Sequence, residues 1–407
     1  MLKPMSERTP RPDWVRRINV MADSVGGAQN LISLDVDEMI SVARGTSGLS
    51  DFGDFDGDWN ARLVSLVDAI ERESQLTVLG RLMARQEILR CLGTRLAITR
   101  RLDECPAILD EVIEAPIIVT GQGRSGTSIL FELLSLDPDA RSIAAWEATH
   151  PVPGTQDVET MMARTEPEQE FWADIQPEYA TVHEHRSDLP VECITAMLPS
   201  FASFQWWMHN GVPSWTPDFV AALQYHEVFL KTLQYGAPKK TWVLKTPVYL
   251  PVLDLVFQFF PDASVLLTHR DPLKTLPSGM STLSMVRWQR SDEVDLENLT
   301  AGASGSFDLM VAVKERRENG DFPDRLADVH FLDQLRDPVD GIRGAYGAMG
   351  RPFDESHAAR IRTYLAAKPK GKFGKHEYLP EDWGLTRAEL REKTRAYVEA
   401  YGVELED

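Results

Sequence analysis

The densest chemistry in the chain lies in GQGRSGTS, Gly121 to Ser128. Its glycines permit a tight turn that presents backbone N–H groups to an anion. A helix beginning near Ser125 would add the positive end of its dipole. Thr127 and Ser128 contribute hydroxyl donors, and Arg124 contributes a permanent charge. A second cation, Lys245, sits in LKTPVYL, where Thr246 can cap a helix that starts with Pro247. A third, Arg270, sits in THRDPLKTLPSGM, where Asp271 and Pro272 repeat the cap-plus-proline start. Ser278 follows Arg270 by eight residues, about two helical turns. Each cation alone reads equally well as a solvated charge. Together they suit one ligand with more than one negative group, Arg124 and Lys245 serving one and Arg270 and Ser278 the other.

The glycine spacing approaches a nucleotide-binding P-loop, but Thr127 stands where that loop carries its lysine. A phosphotransferase or NTPase of the P-loop class is therefore the weaker reading. A further basic stretch, KPKGKFGKHEY from Lys368 to Tyr378, reads as either a solvated loop or a clamp over a phosphate.

These residues need a frame that brings them together. PIIVT from Pro116, TWVL from Thr241 and SVLLT from Ser264 are short, apolar and followed by helical patterns. They predict buried parallel strands of an α/β fold. Ligands of such sheets bind beyond the carboxyl ends of the strands, where all three cations fall. Residues 1–30 read as a loose N-terminal arm and 31–115 as a helical region. GLSDFGDFDGD, Gly48 to Asp58, reads as an acidic surface loop or a contact with the main domain. The α/β domain runs from 116 to 407, with a helical, aromatic-rich insertion at about 150–235 and a last helix near 386–401.

Composition narrows the function further. The 407 residues include 43 Lys plus Arg and 62 Asp plus Glu, a formal charge of −19. Such a surface repels nucleic acid and anionic membrane, so neither is an expected partner. With 43% hydrophobic and 26% charged residues, the chain is an ordinary globular one. Cys91, Cys105 and Cys193 form neither a disulfide framework nor a zinc pattern, which fits the cytoplasm. The N-terminus lacks the apolar region of a signal peptide. The most apolar stretch, Pro247 to Leu267, is interrupted by Pro251, Asp254, Gln258, Pro261 and Asp262, so no transmembrane segment is expected.

The ordered motifs GQGRSGTS, WEATHPVP, HEHRSDLPVEC, WVLKTPVYL, FPDASVLLTHRDPLKTLPSGM and KGKFGKHEY resemble the bacterial sulfotransferases that use 3′-phosphoadenosine 5′-phosphosulfate (PAPS). The resemblance covers nearly the whole chain after the first 30 residues. Gln122 and Ser128 depart from the common proline and threonine without removing a donor. The resemblance implies a three-layer, P-loop-like fold with a central parallel sheet. It assigns Gly123, Arg124, Ser125, Gly126, Thr127 and Ser128 to the 5′-phosphosulfate, Arg270 and Ser278 to the 3′-phosphate, and Lys372 to a loop closing over both that phosphate and adenosine.

Sulfuryl transfer needs positioning and charge neutralisation rather than a metal clamp. Arg124 and Lys245 are the expected catalytic cations. The acceptor hydroxyl must lose a proton, for which Glu147 in WEATHP is the first expectation and His183 the second. Glu192, in PVEC, is expected to orient a neighbour or the acceptor, or to sit in an ion pair. The aromatics Trp172, Tyr179, Phe201, Phe204, Trp206, Trp207, Trp215, Phe219 and Tyr225 read as core, with some available to line a groove for a hydrophobic alcohol or glycolipid. The N-terminal helices are available to cover that groove or to form a homodimer contact. A non-catalytic nucleotide-binding relative is the remaining alternative.

Overall fold

The computed structural model describes residues 2–182, 184–368 and 378–406. Among them, five strands form one parallel sheet: β1 Ile117–Gly121, β2 Ala140–Arg141, β3 Thr241–Lys245, β4 Ser264–His269 and β5 Leu326–His330. The order across the sheet is β2-β3-β1-β4-β5. The three central strands are the expected ones. They are apolar runs because both sheet faces are covered. Ile118, Leu244, Val265 and Leu267 point into a core with Tyr225, Phe229 and Met280. Ile117, Val119, Val243 and Leu266 point the other way, against Leu130, Phe131 and Ile342. The result is the three-layer α/β arrangement.

The register brings the functional strand ends level. Val119 pairs with Lys245, and Gly121 pairs with Thr268. The glycine-rich loop, Lys245 and Arg270 therefore leave the sheet along one edge. The chain also crosses there from β3, on one side of β1, to β4 on the other, which is the switch point where a crevice forms.

The N-terminal region contributes α1 Val36–Ser47, α2 Trp59–Glu73 and the long α3 Val78–Glu104. They enclose a second core in which Leu63, Leu66 and Leu92 meet Phe201, Trp206 and Trp215 of the insertion. These three aromatics of the insertion are thus core, as are Tyr225 and Phe229. Residues 4–30 are not a loose arm. They hold short helices, Val15 is fully buried, and the Arg11 guanidinium stacks 3.8 Å from the Trp288 ring. The acidic loop is docked as well. Asp56 is buried and accepts from Arg95 at 2.7 and 2.9 Å and from Arg62 at 2.8 Å.

The helices that flank the sheet include α4 Thr127–Leu134, α5 Phe219–Gln234, α6 Pro272–Trp288 and α7 Arg387–Tyr401. Helix α3 meets the end of α6 closely: a Cβ on Gly80 would lie 1.9 Å from the Arg290 carbonyl oxygen. Beside that contact, Glu87 accepts from Arg290 at 2.7 and 2.8 Å. No helix among the described residues is long and apolar enough to cross a membrane.

Candidate active site

The glycine-rich loop turns sharply because two of its glycines allow it. Gly121 has φ 130°, and a Cβ there would lie 2.7 Å from Thr268 Oγ1. Gly126 has φ 92°, and a Cβ there would lie 2.5 Å from the Phe331 ring. Helix α4 begins at Thr127, slightly later than expected. Ser125 is fully buried and its Oγ lies 2.6 Å from Thr268 Oγ1, so its hydroxyl ties the loop to β4. Gly123 is the exposed point of the turn, and Thr127 is buried.

Arg124 holds a left-handed backbone, φ 70°, a conformation that costs a non-glycine residue about 1–3 kcal/mol and persists only where its surroundings impose it. Two hydrogen bonds do so. Its Nε donates to Ser278 Oγ at 3.0 Å and its Nη1 to the Val182 carbonyl at 3.2 Å. Burial pushes the Arg124 pKa down, opposed by Tyr378 and Tyr179. An anion at this position would relieve that desolvation.

Arg270 reaches the same place from β4. Its Nη1 donates to the Arg124 carbonyl at 3.4 Å, and its guanidinium lies 4.0 Å over the Phe331 ring. Its other nitrogens meet the Glu406 carboxylate, Nε at 2.7 Å and Nη2 at 3.0 Å. Helix α6, capped by Asp271 on the Leu273 amide at 2.8 Å, carries the buried Ser278 to Arg124. Arg124, Arg270 and Ser278 are thus joined by hydrogen bonds at one place on the sheet edge. Beyond Ser278, a groove of about 1010 Å³ passes Ser281, Met285 and Tyr378.

Lys245 is 2% exposed at the end of β3. Its Nζ donates to Ser128 Oγ at 3.2 Å and to the Glu192 carboxylate. Thr246 Oγ1 donates to the other Glu192 oxygen at 3.4 Å. Glu192 is held in place by an antiparallel bridge between Ala144 and Pro190 and by the Val191 amide donating to Ile143 at 2.9 Å.

Glu147 is not among these residues. It accepts from Arg141 at 2.6 Å and from the Ala144 amide at 3.0 Å. Burial raises its pKa against the pull of Arg141. Both oxygens are engaged in fixing the turn after β2. His183 and Lys372 lie outside the described residues. At the start of the lysine-rich stretch, Lys368 donates to Glu132 at 2.7 Å.

Sequence reasoning passed over Glu406, Phe331 and the backbone of Val182. A carboxylate near the chain end gives no local signal, and Phe331 follows a strand whose Asp328 disguises it. Glu192 was visible, but not its attachment to Lys245.

Comparison with known proteins agrees with this architecture. Residues 116–355 match the model of the Sulfotransferase family. Omega-hydroxy-beta-dihydromenaquinone-9 sulfotransferases of Mycobacterium bovis and Mycobacterium tuberculosis are 23% identical over 337 residues, covering 77% of this chain and 80% of theirs. A sulfotransferase structure from Mycobacterium avium superposes with TM-score 0.75 at 24% identity, covering 91% of this chain and 97% of that one. Another, from Mycobacterium tuberculosis H37Rv, gives TM-score 0.71 at 24% identity, with 88% and 98% covered.

Proposed function

The chain belongs to the sulfotransferase family, and on that footing we propose that it moves the sulfuryl group of PAPS to a hydroxyl of a hydrophobic, lipid-like acceptor. One observation carries the donor assignment: two arginines from separate strand ends meet through hydrogen bonds, Arg270 on the Arg124 carbonyl and Arg124 on Ser278. PAPS has an anionic group at each end of its ribose, and a pair of cationic positions beside a hydroxyl suits it. In this reading the loop amides of Gly123–Ser128 and Arg124 hold the 5′-phosphosulfate. Arg270 and Ser278 hold the 3′-phosphate, with Lys372 as a contributor from the basic stretch. The groove past Ser281 receives adenosine.

Sulfuryl transfer is in line between two oxygens, so the protein's task is to align them and to neutralise charge on the leaving phosphate oxygen. Lys245, dry and beside Ser128, suits that oxygen. The acceptor class is argued from the relatives, whose names specify a hydroxylated menaquinone derivative. A metal plays no part in this reading. The test is incubation of the protein with labelled PAPS and lipid extracts, read by mass spectrometry for an added SO3. Transfer to a lipid hydroxyl is expected. Label confined to a non-lipid product would move the acceptor class, and no transfer to any fraction would contradict the reading.

A further inference from the structure

We propose that Glu192 takes the proton of the acceptor hydroxyl, with Lys245 and Thr246 positioning its carboxylate. This inference rests on the donor reading above. Three observations carry it. The carboxylate contacts Lys245, the cation assigned above to the leaving oxygen, which would set it beside the transfer point. Its side chain keeps 25% of its surface open, whereas Lys245 keeps 2%, so it is the member of the pair that an acceptor can reach. Among the described residues its second oxygen has the long 3.4 Å contact with Thr246, a weak hold that an acceptor hydroxyl can replace. Glu147 offers no comparable oxygen, since Arg141 and the Ala144 amide take both.

Among the described residues, the neighbouring charged and titratable groups are Lys245, Arg124, Tyr179 and Cys193. Burial pushes the Tyr179 phenol well up and the Cys193 thiol to about 11, so neither serves as a base near neutrality. In the reaction the acceptor oxygen forms a bond to sulfur while the bond from sulfur to the 5′-phosphate oxygen breaks. That electron pair stays on the phosphate oxygen, which Lys245 meets. The hydroxyl proton passes to Glu192 and later to water. The products are a sulfate monoester, adenosine 3′,5′-bisphosphate and one proton.

The experiment compares wild type with Glu192→Gln, Glu192→Asp and Glu147→Gln. Calorimetry measures adenosine 3′,5′-bisphosphate binding, and ³⁵S-PAPS measures transfer to farnesol in detergent and to water. Glu192→Gln is expected to bind the bisphosphate two- to five-fold more tightly, roughly the scale of one partly exposed charge interaction. Its turnover should fall by about 10²–10⁴, the usual contribution of a general base. The wild-type rate should decline toward acid pH, and the residual rate of Glu192→Gln should not. Glu192→Asp, which keeps the charge and shortens the reach, should keep wild-type affinity and lose part of the rate. Glu147→Gln should match wild type in both. Unchanged affinity in Glu192→Gln, turnover within three-fold of wild type, or a loss carried by Glu147→Gln instead would overturn the assignment. A wild type that does not bind the bisphosphate would sink the donor reading itself, which separates the two failures.

Discussion

At the scale of single residues, the site is a set of charges waiting for a partner. Arg124 gives up solvent and a relaxed backbone to stand beside Ser278. Arg270 satisfies two of its nitrogens with Glu406, a carboxylate located where the 3′-phosphate is proposed to bind. The amide of Glu406 in turn donates to Asp271 at 2.6 Å, which also receives Arg391 at 2.6 and 2.8 Å. A ligand phosphate must therefore displace Glu406 from Arg270. Glu406→Gln is expected to tighten adenosine 3′,5′-bisphosphate binding about ten-fold, the scale of one partly exposed ion pair plus a like-charge contact removed. Calorimetry checks this, and weaker binding would mean that Glu406 instead prepares Arg270 for the ligand.

At the scale of elements, residue types foretold the central strands better than the outer supports. The runs around Val119, Leu244 and Leu266 were readable because a parallel strand buried on both faces has no polar positions to confuse its pattern. Strand β2 has two residues, too few for any periodicity. Strand β5 contains Asp328, which pairs with His269 at 3.0 Å and Arg317 at 2.8 Å rather than marking a loop. The same short β2 explains the expectation at Glu147. A glutamate in the first turn of a helix looks alike whether it is a base or a cap, and its partner Arg141 sits on the unreadable strand. The N-terminal arm is held by Arg11 on Trp288, a contact 277 residues apart, which no local pattern reports. Helix α3 depends on a similar long-range tie. Burial opposes the charge on Glu87, but Arg290 and His209 outweigh it and hold its carboxyl well below the usual range. Glu87→Gln leaves Arg290 buried without its counter-charge, which should cost about 3–5 kcal/mol. Urea denaturation checks this, and a loss under 1 kcal/mol (roughly a surface pair) would contradict it.

Across the whole molecule, an acidic chain brings Arg124, Lys245 and Arg270 to one sheet edge and buries several imidazoles whose protonation burial opposes. Burial lowers His226 to about 3 and His185 to about 4. In the unfolded chain both would titrate near the ordinary value of about 6.5. The folded form therefore binds fewer protons than the unfolded form between these values. The contribution of these two histidines to stability is complete above about pH 6.5 and falls as the pH drops toward 4. His226→Gln should flatten that slope between pH 6 and 4 by about 1.4 kcal/mol per pH unit. An unchanged slope in denaturation series would remove His226 from the account.

The central claim is that Arg124 and Arg270 surround one adenosine carrying two anionic groups. A calorimetric cycle tests it directly, titrating adenosine 3′,5′-bisphosphate and adenosine 5′-monophosphate into wild type and Arg270→Ala. The account predicts one site per chain, with the bisphosphate favoured by at least ten-fold in wild type and by less than two-fold in Arg270→Ala, on the scale of a charge-assisted contact of roughly 1.5–3 kcal/mol. Equal preference for the bisphosphate in both proteins would contradict it.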